Sequence, residues 1–200
     1  PPALFPLAAA PPSHRFIGPI TWAPPVALPP WWHALPEDRP LAYVTLGSSG
    51  RAALAGMLAE TLVEAGFRVM LATAGAVAVR PSAEVHVADF LPGEAAARRA
   101  RLVICNGGSP TSHQALLAGR PVLGLPSNLD QLLNMQALAA AGLGLMLRAD
   151  RATLAAVRAA ALGLADEPAQ ERARQFAVGL SVDGAVRRFY GLIQGHDHEA

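Results

Sequence analysis

Leu102-Val103-Ile104-Cys105-Asn106-Gly107-Gly108-Ser109-Pro110-Thr111 is the stretch that decides the fold. Four apolar residues with no polar alternation, closed by Asn and two glycines, read as a strand buried on both faces. The glycine pair lets the backbone turn sharply and leaves room for a ligand beside it. Ser109 is a preferred N-cap and Pro110 then falls at N1, where proline is favoured. Helical residues 110–118 follow, with Gly119 at C′. The N–H groups of Thr111 and Ser112 then stand free at the positive end of the helix, an arrangement that suits a diphosphate. A well-capped strand-to-helix turn without a ligand fits the same residues.

Outward from this unit the pattern repeats. Leu41–Leu46 reads as a strand before Gly47-Ser48-Ser49-Gly50, and 51–65 carries helical spacing up to Gly66. Phe67–Ala72 and Val85–Phe90 read as strands, 93–101 as a helix, Pro121–Leu125 as a strand, 130–141 as a helix and Leu143–Leu147 as a strand. Asp150 is expected to cap a helix over 151–164, with further helices over 168–179 and 182–194. Strands alternating with helices imply right-handed βαβ units, and so an α/β domain with a doubly wound, mostly parallel, Rossmann-like sheet.

Twelve of the eighteen prolines lie in residues 1–40. Such a segment sustains neither helices nor central strands, and it reads as an extended linker with Trp31 and Trp32 as packing anchors. The expected division is a linker over 1–40 following a folded N-terminal domain, a ligand-binding domain over 41–195, and a polar tail over 196–200.

Composition excludes several chemistries. All sixteen basic residues are arginine. Without lysine there is neither a Walker A loop nor a pyridoxal Schiff base. A formal net charge of +1 gives no broad field to gather nucleic acid. Cys105 is the single cysteine, so no internal disulfide forms and a reducing, cytoplasmic setting is expected. No unbroken run reaches the roughly 20 apolar residues of a membrane helix. No acidic residue stands near Met70–Thr73 at the end of the second strand to hold a ribose, which argues against a dinucleotide domain. There is no D-x-D for a metal-held diphosphate. His196 and His198 lie in the tail, and Ser112 and His113, adjacent on a helix, diverge too far for a dyad.

Two further loops share the ligand edge of such a sheet. Pro126-Ser127-Asn128-Leu129-Asp130-Gln131 brings a carboxylate and an amide, a pairing that suits sugar hydroxyls and equally a solvated helix start. Gly47-Ser48-Ser49-Gly50 is placed to approach a phosphate; it is one residue short of a nucleophile elbow.

Taken in order, Phe16-Ile17-Gly18-Pro19, Tyr43-Val44-Thr45-Leu46-Gly47-Ser48, Phe90-Leu91-Pro92, Asn106-Gly107-Gly108-Ser109-Pro110-Thr111 with Gln114-Ala115-Leu116, Gly119-Arg120-Pro121, and Pro126 through Asp130-Gln131 and Asn134 form a pattern. Over roughly residues 14–190 it resembles the C-terminal domain of GT-B-fold, UDP-glycosyltransferase-like family 1 enzymes, and is similar to bacterial members that glycosylate natural products. The resemblance implies a donor site in which Phe90, Leu91 and Pro92 lie against the nucleobase and Asn106, Gly107, Gly108, Ser109 and Thr111 hold the diphosphate. Gln114 would fall near the ribose, Asp130 and Gln131 would hold the sugar, and Ser48 and Ser49 would face the phosphates. Asn106 stands where the family usually has His, and Gln114 where it usually has Glu.

The implied reaction is metal-independent, inverting transfer from a UDP- or dTDP-sugar to a hydroxyl of a small-molecule acceptor, with no cofactor. No catalytic base is assigned in this chain, because the base and the acceptor site would lie on the N-terminal half. The chain alone is therefore expected to bind donor without transferring sugar. A nucleotide-sugar epimerase, a MurG-like transferase and a non-catalytic nucleotide-binding module are the competing readings. The family's C-terminal helix crosses back to the N-terminal domain, which gives the apolar positions Val186, Phe189, Tyr190 and Ile193 an expected use.

Overall fold

The computed structural model describes Leu4, Pro11, residues 13–21 and residues 25–194. The 196–200 tail, with His196 and His198, lies outside the described residues, as does much of the start of the linker. Six strands, β1 (Leu41–Thr45), β2 (Arg68–Ala72), β3 (Val85–Ala88), β4 (Leu102–Cys105), β5 (Val122–Gly124) and β6 (Gly144–Met146), form one sheet. Its order is β3-β2-β1-β4-β5-β6 and every pairing is parallel. The chain winds outward from β1 in one direction and then, from β4, in the other. β1 and β4 are neighbours at the point of reversal, so their carboxyl ends flank the crevice that this topology opens.

Among the described residues, seven helices complete the fold: α1 (Ala55–Glu64), α2 (Gly93–Arg99), α3 (Ser109–Leu117), α4 (Leu129–Ala140), α5 (Leu154–Ala165), α6 (Glu167–Val178) and α7 (Val182–Ile193). A 3-10 turn over Ala52–Leu54 leads into α1. Strand alternation sends Ala42, Val44 and Ile104 to one face, where they pack with Leu58, Leu62, Val157 and Leu164 of α1 and α5. Tyr43, Met70, Val103 and Cys105 point to the other, against Ala96, Leu116, Met135 and Leu138 of α2, α3 and α4. Burial on both faces is why these strands read as continuous apolar runs.

Two helix starts differ from the sequence expectation. Asp150 does not cap α5: its carboxylate is held by Arg148 at 3.0 and 2.9 Å, and Thr153 Oγ1 accepts from Ala156 N instead, at 3.2 Å. Ser109 is the first residue of α3, not its cap. Gly108 occupies that position in an extended conformation, and Pro110 sits one place further in than expected.

The proline-rich segment before β1 is stitched to the sheet and its helices where it is described. Trp32 and Leu35 are buried with the α2–α4 face of the sheet. Trp31 Nε1 donates to the Val87 carbonyl of the outermost strand β3 at 3.0 Å and packs on the His86 ring. Arg99 lies 5.1 Å from the Trp32 ring centre and donates to its carbonyl. Arg68 pairs with Asp38 and holds the carboxyl below its usual range.

Candidate functional site

The loops after β1, β4 and β5 meet at the crevice. After β4, Gly107 turns with φ +86°, and a Cβ there would lie 2.6 Å from Met135 Cγ and 3.2 Å from the Gln131 carbonyl. Only glycine fits so close to α4 in that conformation. Asn106 is nearly buried, and its Oδ1 accepts from Gly108 N at 3.0 Å while Nδ2 donates to Ser49 Oγ at 3.1 Å. The Asn106 side chain thus sets the approach to α3 and ties it to the β1 loop.

The start of α3 offers fewer free amides than expected. Ser112 N donates to the Gly108 carbonyl at 3.2 Å, and the buried Ser112 hydroxyl donates within the same turn. That removes Ser112 from the anticipated anion contacts. Ser109 and Thr111 keep their N–H groups without a partner among the described residues, at the positive end of a nine-residue helix.

The β5 loop is braced from α4. Asn128 caps α4 by accepting from Gln131 N at 3.0 Å. Gln131 is buried. Its Oε1 accepts from Ser127 N at 2.9 Å and from Ser127 Oγ at 3.2 Å, and its Nε2 donates to Ser49 Oγ at 3.2 Å. Asp130, one residue earlier, is exposed and has no hydrogen bond or ion pair among the described residues. Asn134, a turn further along, donates to the Gly107 carbonyl at 2.7 Å and to Ser112 Oγ at 2.9 Å. Sequence reasoning gave Asn134 no role and passed over Ser127. The signal for Asn134 was its place beside Gln131 on the face of α4 that also buries Met135 and Leu138.

Two expected contacts stand at the rim. Phe90, in the loop between β3 and α2, is 56% exposed, while Leu91 beside it is buried and Pro92 caps α2. Gln114 is buried against Gly93, yet its carboxamide makes no hydrogen bond among the described residues. Its amide is not sealed from solvent, so water or a ligand can meet it there. Ser48 is exposed on the β1 loop, and a hollow of about 470 Å³ opens beside Ser127–Leu129, walled by Arg51 and the Arg148–Asp150 pair. Burial pushes the Cys105 thiol up to about 12, so it is no nucleophile. Among the described residues no group of three or more His, Cys, Asp or Glu gathers as a metal site, and no helix is long and apolar enough to cross a membrane.

Residues 67–182 match the family described as "Erythromycin biosynthesis protein CIII-like, C-terminal domain". The chain belongs to this family. The CIII-like domain is 51% identical over 160 residues, 80% of the chain, to a PGL/p-HBAD biosynthesis glycosyltransferase of Mycobacterium tuberculosis, and spans 37% of that protein's length. It is 48% identical over 151 residues, 75% of the chain, to a PGL/p-HBAD biosynthesis rhamnosyltransferase of Mycobacterium bovis, spanning 34% of it. Among solved structures, the spinosyn forosaminyltransferase SpnP superimposes with a TM-score of 0.72 at 26% identity, covering 88% of the CIII-like domain and 49% of that chain. The chain thus spans little more than a third of the curated relatives it matches, and its fold is the C-terminal half of a GT-B glycosyltransferase.

Proposed function

We propose that the crevice between β1 and β4 binds the diphosphate of a nucleotide-sugar donor, and that the longer protein transfers that sugar to a hydroxyl of a small-molecule acceptor. The observation that carries this reading is the pair of unpartnered amides, Ser109 N and Thr111 N, presented by α3 beside a glycine turn. Donor and dipole together favour the charge that grows on a departing diphosphate, with no metal required of this half. Phe90 offers an exposed ring to the base and Gln114 a free carboxamide to the ribose. Asp130 accepts from sugar hydroxyls, and Gln131 contributes mainly by holding the β1 and β5 loops in register.

In the transfer step, a base from outside these residues takes the acceptor proton. The acceptor oxygen forms a bond to the anomeric carbon as the bond to the diphosphate oxygen breaks on the opposite face, which inverts the centre. The rhamnosyltransferase name of a 48% identical relative favours a deoxyhexose donor. Calorimetric titration of the chain with UDP, dTDP and GDP tests the reading and chooses the base. Absence of heat with all three would refute it.

One observation favours a second reading, a non-catalytic nucleotide-binding module. Both ends of the Asn106 carboxamide are engaged by the protein, so this position lends neither charge nor a committed donor to the phosphates. Sugar transfer by the full-length protein, assayed with a donor that the chain binds, separates the two.

A further inference from the structure

At the opposite end of the sheet, where the strands begin, lies a second hollow, of about 410 Å³. Five arginines line it, Arg39, Arg98, Arg99, Arg101 and Arg120, together with Glu37. They arrive there because the linker enters β1, α2 enters β4 and α3 enters β5 at this edge. Three of the five are answered by carboxylates: Arg98 by Glu94 at 2.7 Å, Arg99 by Glu37 at 3.0 Å and Arg101 by Glu167 at 3.1 Å. Two are not. Arg39 is exposed and makes no hydrogen bond or ion pair among the described residues. Arg120 reaches only the Arg98 carbonyl, at 3.1 Å, and its Nε is buried without a partner.

Arg120 is also crowded by its own kind. Burial lowers its pKa, and the charges of Arg101 and Arg174 lower it further. Helix C-termini attract cations, which accounts for Arg98 and Arg99 in the last turn of α2. That does not account for two arginines, Arg39 and Arg120, that line one hollow with no salt-bridge partner among the described residues, although Arg39 also feels the charge of Asp38. Guanidinium forks match the oxygens of a phosphate in geometry, and two arginines outside any salt bridge suit the charge of a phosphate monoester.

We propose that this hollow binds a phosphate monoester, using Arg39 and Arg120, at a site separate from the donor crevice. The test is an amide-resolved NMR titration of the isotopically labelled chain with inorganic phosphate, against chloride at equal ionic strength. A parallel arm measures sedimentation with phosphatidylcholine vesicles with and without phosphatidic acid. Phosphate should shift the amides of residues 98–101 and 120. Arg39→Gln, at an exposed position that holds nothing else together, should weaken that response about threefold or more, as expected for loss of one charge-assisted contact. Binding only to vesicles that contain phosphatidic acid, weakened in the same way by Arg39→Gln, assigns the phosphate to a lipid headgroup. Shifts confined to Gly107–Thr111 with no vesicle binding overturn the proposal, as does a response that Arg39→Gln leaves intact. The proposal stands or falls independently of donor binding, since the two sites lie at opposite ends of the strands.

Discussion

Ser49 Oγ receives the Gln131 side-chain amide at 3.2 Å across 82 residues of sequence, and the Asn106 amide at 3.1 Å on its other side. One hydroxyl thereby joins the loops that follow β1, β4 and β5. With both lone pairs filled, its single proton is left to donate outward.

Ser49→Ala removes that joint. The loops lose the hydroxyl contacts to Asn106 and Gln131, while the bond from Ser127 Oγ to the Ser49 carbonyl persists, and nucleotide-diphosphate affinity should fall by about 1 kcal/mol, roughly fivefold, with global stability changed by less than that. Calorimetry and urea unfolding on the same variant give both quantities. Unchanged affinity would mean the tether is incidental to binding.

Asp130→Ala should leave UDP or dTDP affinity intact and weaken binding of the corresponding sugar nucleotide about tenfold or more, the size of one lost hydrogen bond to a charged acceptor. Equal losses for both ligands would place Asp130 elsewhere than against the sugar.

Gly107→Ala should destabilise the domain by about 2–4 kcal/mol, because a Cβ meets Met135 and the backbone turn resists any side chain. Gly163→Ala is the control. Gly163 lies exposed in α5 with open space at its Cβ, and alanine there should add about 0.5–1 kcal/mol. Urea midpoints moving in opposite directions are the expected result.

Alkaline pH should unfold the domain progressively. Burial raises Cys105 from 9.0 to about 12 and Tyr43 from 10.0 to about 12. The folded state holds both protons more tightly than the unfolded chain. Their contribution is therefore complete below about pH 9 and is lost as the pH climbs toward 12. Thermal midpoints recorded across that window should decline, and Tyr43→Phe should flatten the slope. A flat profile for the unaltered chain would contradict the assignment.

Much of the fold was legible because parallel strands are apolar throughout and their helices are periodic. β4 was bounded correctly at 102–105, and the doubly wound parallel sheet was expected from alternation and handedness, which leave the order of the strands open. The sequence alone misled where two polar groups compete for one task. Asp150 looked like a cap but is claimed by Arg148, leaving the work to Thr153. Ser112 looked free but turns its N–H and hydroxyl inward. At the site, the loops that gather could be named in advance from their glycines and polar residues. What could not be read was the Ser49–Asn106–Gln131 joint, since contacts between residues so far apart in sequence exist only once the sheet has formed.

The indole that plugs a carbonyl of β3 has a consequence for life at high concentration. A bare outer strand is an invitation to a second polypeptide, which can add its own backbone rung by rung. Here Trp31 takes the Val87 carbonyl and rests on the His86 ring, so one outward-facing rung of this border is already filled. Trp31→Ala would reopen that rung to a second backbone while leaving the apolar interior of the sheet as it is.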